Sequence, residues 1–249
     1  MAELAISTSN VLIGVTPTVT DLGVDEVAAN VSDPDHSLNV TAGTSTGHFA
    51  FSYGVQADIS YVAISGQTAA TPASAVINLF DGVTLIDTVS ITRNNNIMFT
   101  FPEMSFTDLI VQFVTVPNNY QMTVSFIAAG EYLAIEKGQQ AGYARNWLNR
   151  HTTQRSNSTL EVGPISSTQR AKALKGTLSM PNELAIFTED TWQNFIDFSY
   201  EQPFFIKEFE GKPESSYICY DPMPGVKSHP QTPTLDVITL KFTVFNGLT

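Results

Sequence analysis

Between residues 45 and 130, runs of Val, Ile, Phe and Tyr recur with turn residues between them, and no window keeps a 3.6-residue apolar period. The pattern predicts strands over 48–53, 58–65, 75–80, 85–91, 97–101, 108–114 and 122–127. Asp81-Gly82 stands between two such runs and predicts a hairpin, because glycine tolerates the positive φ that tight hairpin turns require. Asn94-Asn95-Asn96 marks a loop. Short strands at regular spacing, with no helices to make parallel crossovers, predict an antiparallel β-sandwich or jelly roll. Residues 1–45, rich in Thr, Ser, Asn and Asp, are expected to form an arm or irregular strands.

The second half is predicted to be β-rich with one α-helix. Residues 169–178 alternate basic and small apolar side chains, as a β-arm or hairpin with one basic face would. The helix is expected near 188–200, with Thr188 as N-cap and Glu189 and Asp190 in the first turn, where the helix dipole favours acids. Trp192, Phe195, Ile196 and Ser199 then fall on one face, and Pro203 comes after the end. Strands are expected over 203–209 and 216–220, and 236–245 places Ile238, Leu240, Phe242 and Val244 on one side. The fold class is therefore mainly β. The expected division is 1–45, a sandwich over 46–136, and a β-rich domain over 137–249.

Two resemblances rest on these residues. Phe49-Ala50-Phe51-Ser52-Tyr53-Gly54, then Asp58-Ile59-Ser60-Tyr61-Val62-Ala63-Ile64-Ser65-Gly66, resembles galactose-binding-like (discoidin-type) jelly rolls, where a strand ending in a Gly turn is followed by I-x-x-V-x-I-x-G. That likeness covers roughly 45–130 and implies a fold, since the sandwich serves sugar binders, lipid binders and structural modules alike. In the second half, the order Tyr143-Ala144-Arg145-Asn146-Trp147-Leu148, a Ser-Thr-Gln-Arg strand start, Trp192-Gln193-Asn194-Phe195, Gln202-Pro203-Phe204-Phe205-Ile206 and Ser216-Tyr217-Ile218-Cys219-Tyr220-Asp221 is similar to tail and tail-tip (baseplate) structural proteins of tailed bacteriophages. This second resemblance implies a virion component, assembled in the host cytoplasm into a homo-oligomer with other tail proteins.

Charge sharpens the picture. Charged residues are 14% of the 249, against about 25% in an average soluble domain, and 43% are hydrophobic, so disorder is not expected. Residues 1–136 hold 13 acids and a single base, Arg93, so that half accounts for the net charge of −12. Residues 137–175 hold seven bases beside Glu161 alone. An acidic body next to a basic segment predicts self-complementary contacts between subunits, with solvated charged faces as the plainer alternative. The candidate interface residues are Tyr143, Arg145, Trp147, Arg150, Arg155, Arg170, Lys172 and Lys175, because Trp, Tyr and Arg are enriched at interfaces. Trp147 packed into the second half's core is the competing reading. A nucleic-acid partner is not expected of so acidic a chain. Membrane insertion and signal-driven secretion are not expected either, given the start Met1-Ala2-Glu3-Leu4-Ala5-Ile6 and no long apolar run.

Catalytic signatures are missing. His36, His48, His151 and His229 show no metal-ligand spacing, and no nucleophile elbow, P-loop or dinucleotide turn occurs, so no cofactor and no enzymatic activity are expected. A glycosidase pair of Asp58 with Asp81 or Asp87 is the open exception. Residues 31–36 offer oxygen ligands for Ca²⁺ but lack a spaced-acid loop, which favours an acidic turn. Cys219, alone, is expected to be a small buried hydrophobe. The reading is thus a structural subunit of a phage tail. The alternative is a carbohydrate-binding module for host-surface glycans, with loop aromatics such as Tyr120 or Phe106 stacking on sugar.

Overall fold

The computed structural model describes residues 4–35, 38–43, 48–70, 75–116, 120–135, 153–156, 166–169, 173–184, 186–229 and 232–245. In chain order the strands are β1 (Leu4–Ser7), β2 (Thr18–Thr20), β3 (Val40–Thr41), β4 (Phe49–Tyr53), β5 (Ala57–Ser65), β6 (Val76–Asp81), β7 (Thr84–Ser90), β8 (Ile97–Phe106), β9 (Leu109–Val114), β10 (Thr123–Val124), β11 (Phe126–Gly130), β12 (Tyr132–Ile135), β13 (Thr153–Ser156), β14 (Ser166–Gln169), β15 (Ala173–Leu184), β16 (Phe204–Lys207), β17 (Ser216–His229) and β18 (Thr232–Phe245). Among the described residues there is one α-helix, α1 (Gln193–Glu201), continuing a π-wound turn over Phe187–Trp192. No helix among them is long and apolar enough to cross a membrane.

The expected sandwich forms as a five-stranded sheet, β2-β4-β9-β6-β7, facing a three-stranded one, β11-β5-β8, all antiparallel. Phe49, Phe51 and Phe113 from one sheet meet Ile59, Val62, Ile64 and Phe99 from the other in a fully buried core. The Asp81-Gly82 signal yields the β6–β7 hairpin, with Gly82 at φ 55° in the turn and Asp81 opposite Thr84.

Strand β5 explains why its sequence reads as an almost unbroken apolar run. Val62 and Ile64 point into the sandwich, while Tyr61 and Ala63 point the other way, into a second core with Ala5, Met98, Phe126, Ala128, Phe205 and Ile218. Both faces are buried, so strict apolar–polar alternation disappears. Ile59 keeps the sandwich side only because the register with β8 shifts between Ile59 and Tyr61, a bulge that re-aims one residue.

The outer face of β11-β5-β8 is buried by a six-stranded sheet, β12-β1-β16-β17-β18-β15. Its own far face carries Ile6, Phe204, Cys219, Ile238, Leu240 and Phe242 against Trp192, Phe195 and Ile196. The layers therefore run sheet, sheet, sheet, helix. Strand β1 precedes residue 45 and β12 precedes residue 137, and both belong to the sheet of C-terminal strands. Lys207 of β16 is buried and its ammonium donates to the Thr100 hydroxyl of β8, tying that sheet to the sandwich.

The helix departs from expectation at its start. Thr188 does not cap it: the segment is already helical at Ile186, no side-chain cap forms, and the Thr188 hydroxyl is buried with no hydrogen-bond partner among the described residues. The π-winding accounts for this. An α-helix would place Trp192 about 140° around from Phe187, whereas the wider i→i+5 turn brings both onto the core side. Glu189 and Asp190 do occupy the first turn, and Trp192, Phe195, Ile196 and Ser199 form the buried stripe.

Candidate functional site

A cleft of about 660 Å³ lies between the end of β7 with the loop after it and the loop before β17. Its jelly-roll wall is Val89, Ser90, Arg93, Asn95 and Asn96, and its opposite wall runs from Phe209 through Lys212, Pro213, Glu214 and Ser215 to Tyr217.

Both loops are fixed from below. The buried Gln67 side chain donates through Nε2 to the carbonyls of Arg93 and Asn95, each at 3.0 Å, so the asparagine loop cannot drift. Asn94 Oδ1 accepts the Ala70 amide at 2.9 Å, and Ser65 donates to Asn96 Oδ1 at 2.8 Å. The opposite loop turns at Gly211, φ 68°, where the Ser215 amide and hydroxyl both donate to the Lys212 carbonyl. Two contacts clamp the opposite loop to the jelly roll, one at the loop after β7 and one at the start of β8. The Glu214 carboxylate accepts the Thr92 amide at 2.9 Å and its hydroxyl at 3.0 Å, and the Met98 amide donates to the Pro213 carbonyl at 3.0 Å. The walls are thus pre-formed, as binding clefts usually are.

The polar lining is rich in donors. The lining residues include Arg93, which is exposed, Lys212, whose ammonium stands 5.6 Å over the Phe209 ring, Asn95 and Ser90, so the cleft brings together a guanidinium, an ammonium, an amide and a hydroxyl. The Glu214 carboxylate is spent on Thr92. This inventory suits a small, oxygen-rich ligand.

The residues singled out from sequence lie elsewhere. Tyr143, Arg145, Trp147, Arg150, Arg170 and Lys172 fall outside the described residues. Arg155 lies in β13 opposite Ser167, in a two-stranded sheet, and Lys175 lies in β15 opposite Thr243, in the six-stranded sheet. The loop aromatics are not free platforms. Phe106 is 1% exposed and packs on Phe101 at 5.7 Å, because β8 runs on to Phe106 instead of ending at 101, while Tyr120 is half-buried and donates its hydroxyl to the Thr68 carbonyl at 2.7 Å.

The three candidate carboxylates serve the fold. Asp58 accepts the Ser105 hydroxyl, and Asp87 accepts the Thr88 amide at 2.7 Å. Asp81 accepts the Thr107 amide and hydroxyl and the Asp108 amide; the Thr107 amide above all holds its carboxyl below the usual aspartate range. In the 31–36 segment, Asp33 accepts the Asp35 amide at 2.9 Å, an Asx turn, and no cluster of three or more His, Cys, Asp or Glu suited to a metal occurs among the described residues. Burial pushes the Cys219 thiol up, which makes it a poor nucleophile and a good core residue. Sequence reasoning missed the cleft, although one signal pointed to it: Arg93, the sole base among the first 136 residues, stands in its wall.

No protein-family model and no curated protein matches the chain. Among solved structures, chitosan-binding module 1 of a chitosanase/glucanase from Paenibacillus sp. IK-5 is 14% identical, with a TM-score of 0.39 over 49% of this chain and 99% of that one. A fucose binding module of Streptococcus pneumoniae is 9% identical, TM-score 0.40, over 49% and 94%. A Clostridium perfringens protein solved in complex with GalNAc-beta-1,3-galactose is 8% identical, TM-score 0.40, over 49% and 100%.

Proposed function

We propose that the protein binds saccharide, without turnover, in the cleft between its jelly roll and its six-stranded sheet. The observation that carries this reading is a braced cleft of about 660 Å³, within the range of small-molecule sites, whose lining offers a guanidinium, an ammonium, an amide and hydroxyls. Sugar hydroxyls and ring oxygens are the natural partners of such donors. Support for binding alone comes from the carboxylates Asp58, Asp81 and Asp87, each occupied by a local hydrogen bond, and from the buried Cys219.

The test is a glycan array probed with the full chain and with Ser90→Trp, which fills the cleft from an exposed position. Retention of one class of saccharide, reduced at least about tenfold in the variant, is the expected result. No retention by a folded protein, or retention indifferent to Ser90→Trp, overturns the reading.

A second reading, a self-assembling structural subunit of a phage tail, is favoured by one feature. The β13–β14 hairpin pairs Thr153-Gln154-Arg155-Ser156 with Ser166-Ser167-Thr168-Gln169 and joins no other described strand. A lone two-stranded polar hairpin is marginal in water, so a neighbouring surface would supply its stability. Its setting, residues 137–175, is the basic part of an acidic chain. Light scattering at low and at about 0.5 M salt is expected to give a closed oligomer weakened by salt and by Arg155→Glu. A monomer at every concentration contradicts this reading.

A further inference from the structure

We propose that the cleft selects an acidic saccharide, one bearing a carboxylate or sulfate, over its neutral counterpart. This rests on the saccharide-binding reading and specifies its ligand.

The reason is where the chain puts its few cations. Residues 1–136 carry 13 acids and one base, and that base, Arg93, stands in the cleft wall, exposed and with no ion pair among the described residues. Facing it, Lys212 is held over the Phe209 ring at 5.6 Å, so its ammonium is positioned without being neutralised. Among the described residues the only acid in the lining, Glu214, turns its carboxylate onto the amide and hydroxyl of Thr92. The lining thus carries two cations against one engaged carboxylate, on a loop that also holds Glu208 and Glu210, inside a molecule of net charge −12.

Such a contrast has a chemical consequence. A neutral sugar offers Arg93 and Lys212 hydroxyl oxygens, whereas an oxyanion offers a charge-assisted partner that a guanidinium fork can take with two parallel bonds. The protein's overall negative field repels anions at long range, so discrimination arises from contact inside the cleft. Gln67 fixes the backbone on both sides of Asn94, so the main chain carrying Arg93 and Asn95 needs no ordering on binding.

The experiment is calorimetric titration of the full chain with a hexuronate oligosaccharide and with the same oligosaccharide after reduction of its carboxylates to hydroxymethyl groups. The expected result is at least about tenfold tighter binding of the acid, a preference that Arg93→Gln or Lys212→Gln reduces and the double variant abolishes, while Ser90→Trp removes binding of both. Both side chains are exposed, so the variants are expected to keep the parent Tm. Equal binding of acid and reduced forms, with both lost in Ser90→Trp, overturns the selectivity and leaves the saccharide site standing. No binding of either form, while array saccharides still bind and are lost in Ser90→Trp, does the same. No saccharide binding at all overturns both.

Discussion

Gly66 combines a left-handed backbone with no room for a side chain. It sits at φ 65° directly after β5, and a Cβ there would lie 2.2 Å from the Ser125 hydroxyl oxygen. Gly66→Ala is expected to cost about 1–3 kcal/mol from strain and close contact together, read as a lower midpoint in urea. Gly176 is tight for a different reason, since a Cβ would meet the Phe242 ring across the strand pair. Asp81 makes a pH prediction. Its carboxyl is held below the ordinary value by the Thr107 amide, so the charged form is favoured by folding, and that stability is present above about pH 4 and lost as pH falls through the folded value. Asp81→Asn should therefore lower Tm at pH 7, and the gap to the parent should narrow at pH 3. Gly66 was visible in the sequence, because a single glycine closing a long apolar run marks the turn that ends the strand. The interior position of Phe106 was not, because the extension of β8 beyond residue 101 passes through Pro102 and Glu103, which look like a strand end.

At the scale of elements, apolar runs and turn residues predicted β4 to β9 to within a few residues, except at the far end of β8, because runs rich in Val, Ile, Phe and Tyr are separated by short polar turns. β1 escaped: Leu4-Ala5-Ile6-Ser7 is four residues long, and its partners Tyr132–Ile135 and Phe204–Lys207 lie far away in sequence. Short strands completed by distant neighbours carry almost no local signature. The helix stripe was legible, and its energetics come from packing. Phe195 is fully buried between Trp192 at 4.8 Å and Phe204 at 5.2 Å. Phe195→Ala is expected to cost about 3–5 kcal/mol, measured by denaturant unfolding. The π-wound entry was not legible, because Thr188 followed by two acids also describes an ordinary capped helix.

At the scale of the whole molecule, the sandwich depends on the C-terminal strands for the burial of one of its faces. Tyr61, Ala63, Met98, Phe126 and Ala128 bury against Ala5, Phe205 and Ile218, and Phe126 stacks on Phe205 at 6.2 Å. A fragment of residues 1–136 would expose that face and lose one wall of the cleft, so it is expected to aggregate or bind dye for apolar surface, and to bind no saccharide, where the full chain does. Charge segregation was readable from composition, but the place where Arg93 meets Lys212 depends on two loops more than 100 residues apart, which no local pattern reports. The most direct test of the account is amide hydrogen exchange on the full chain with and without saturating amounts of the tightest saccharide from the array. Added protection confined to residues 89–96 and 208–217 is the predicted result. Protection at the other loops of the jelly roll, with those two segments unchanged, would contradict it.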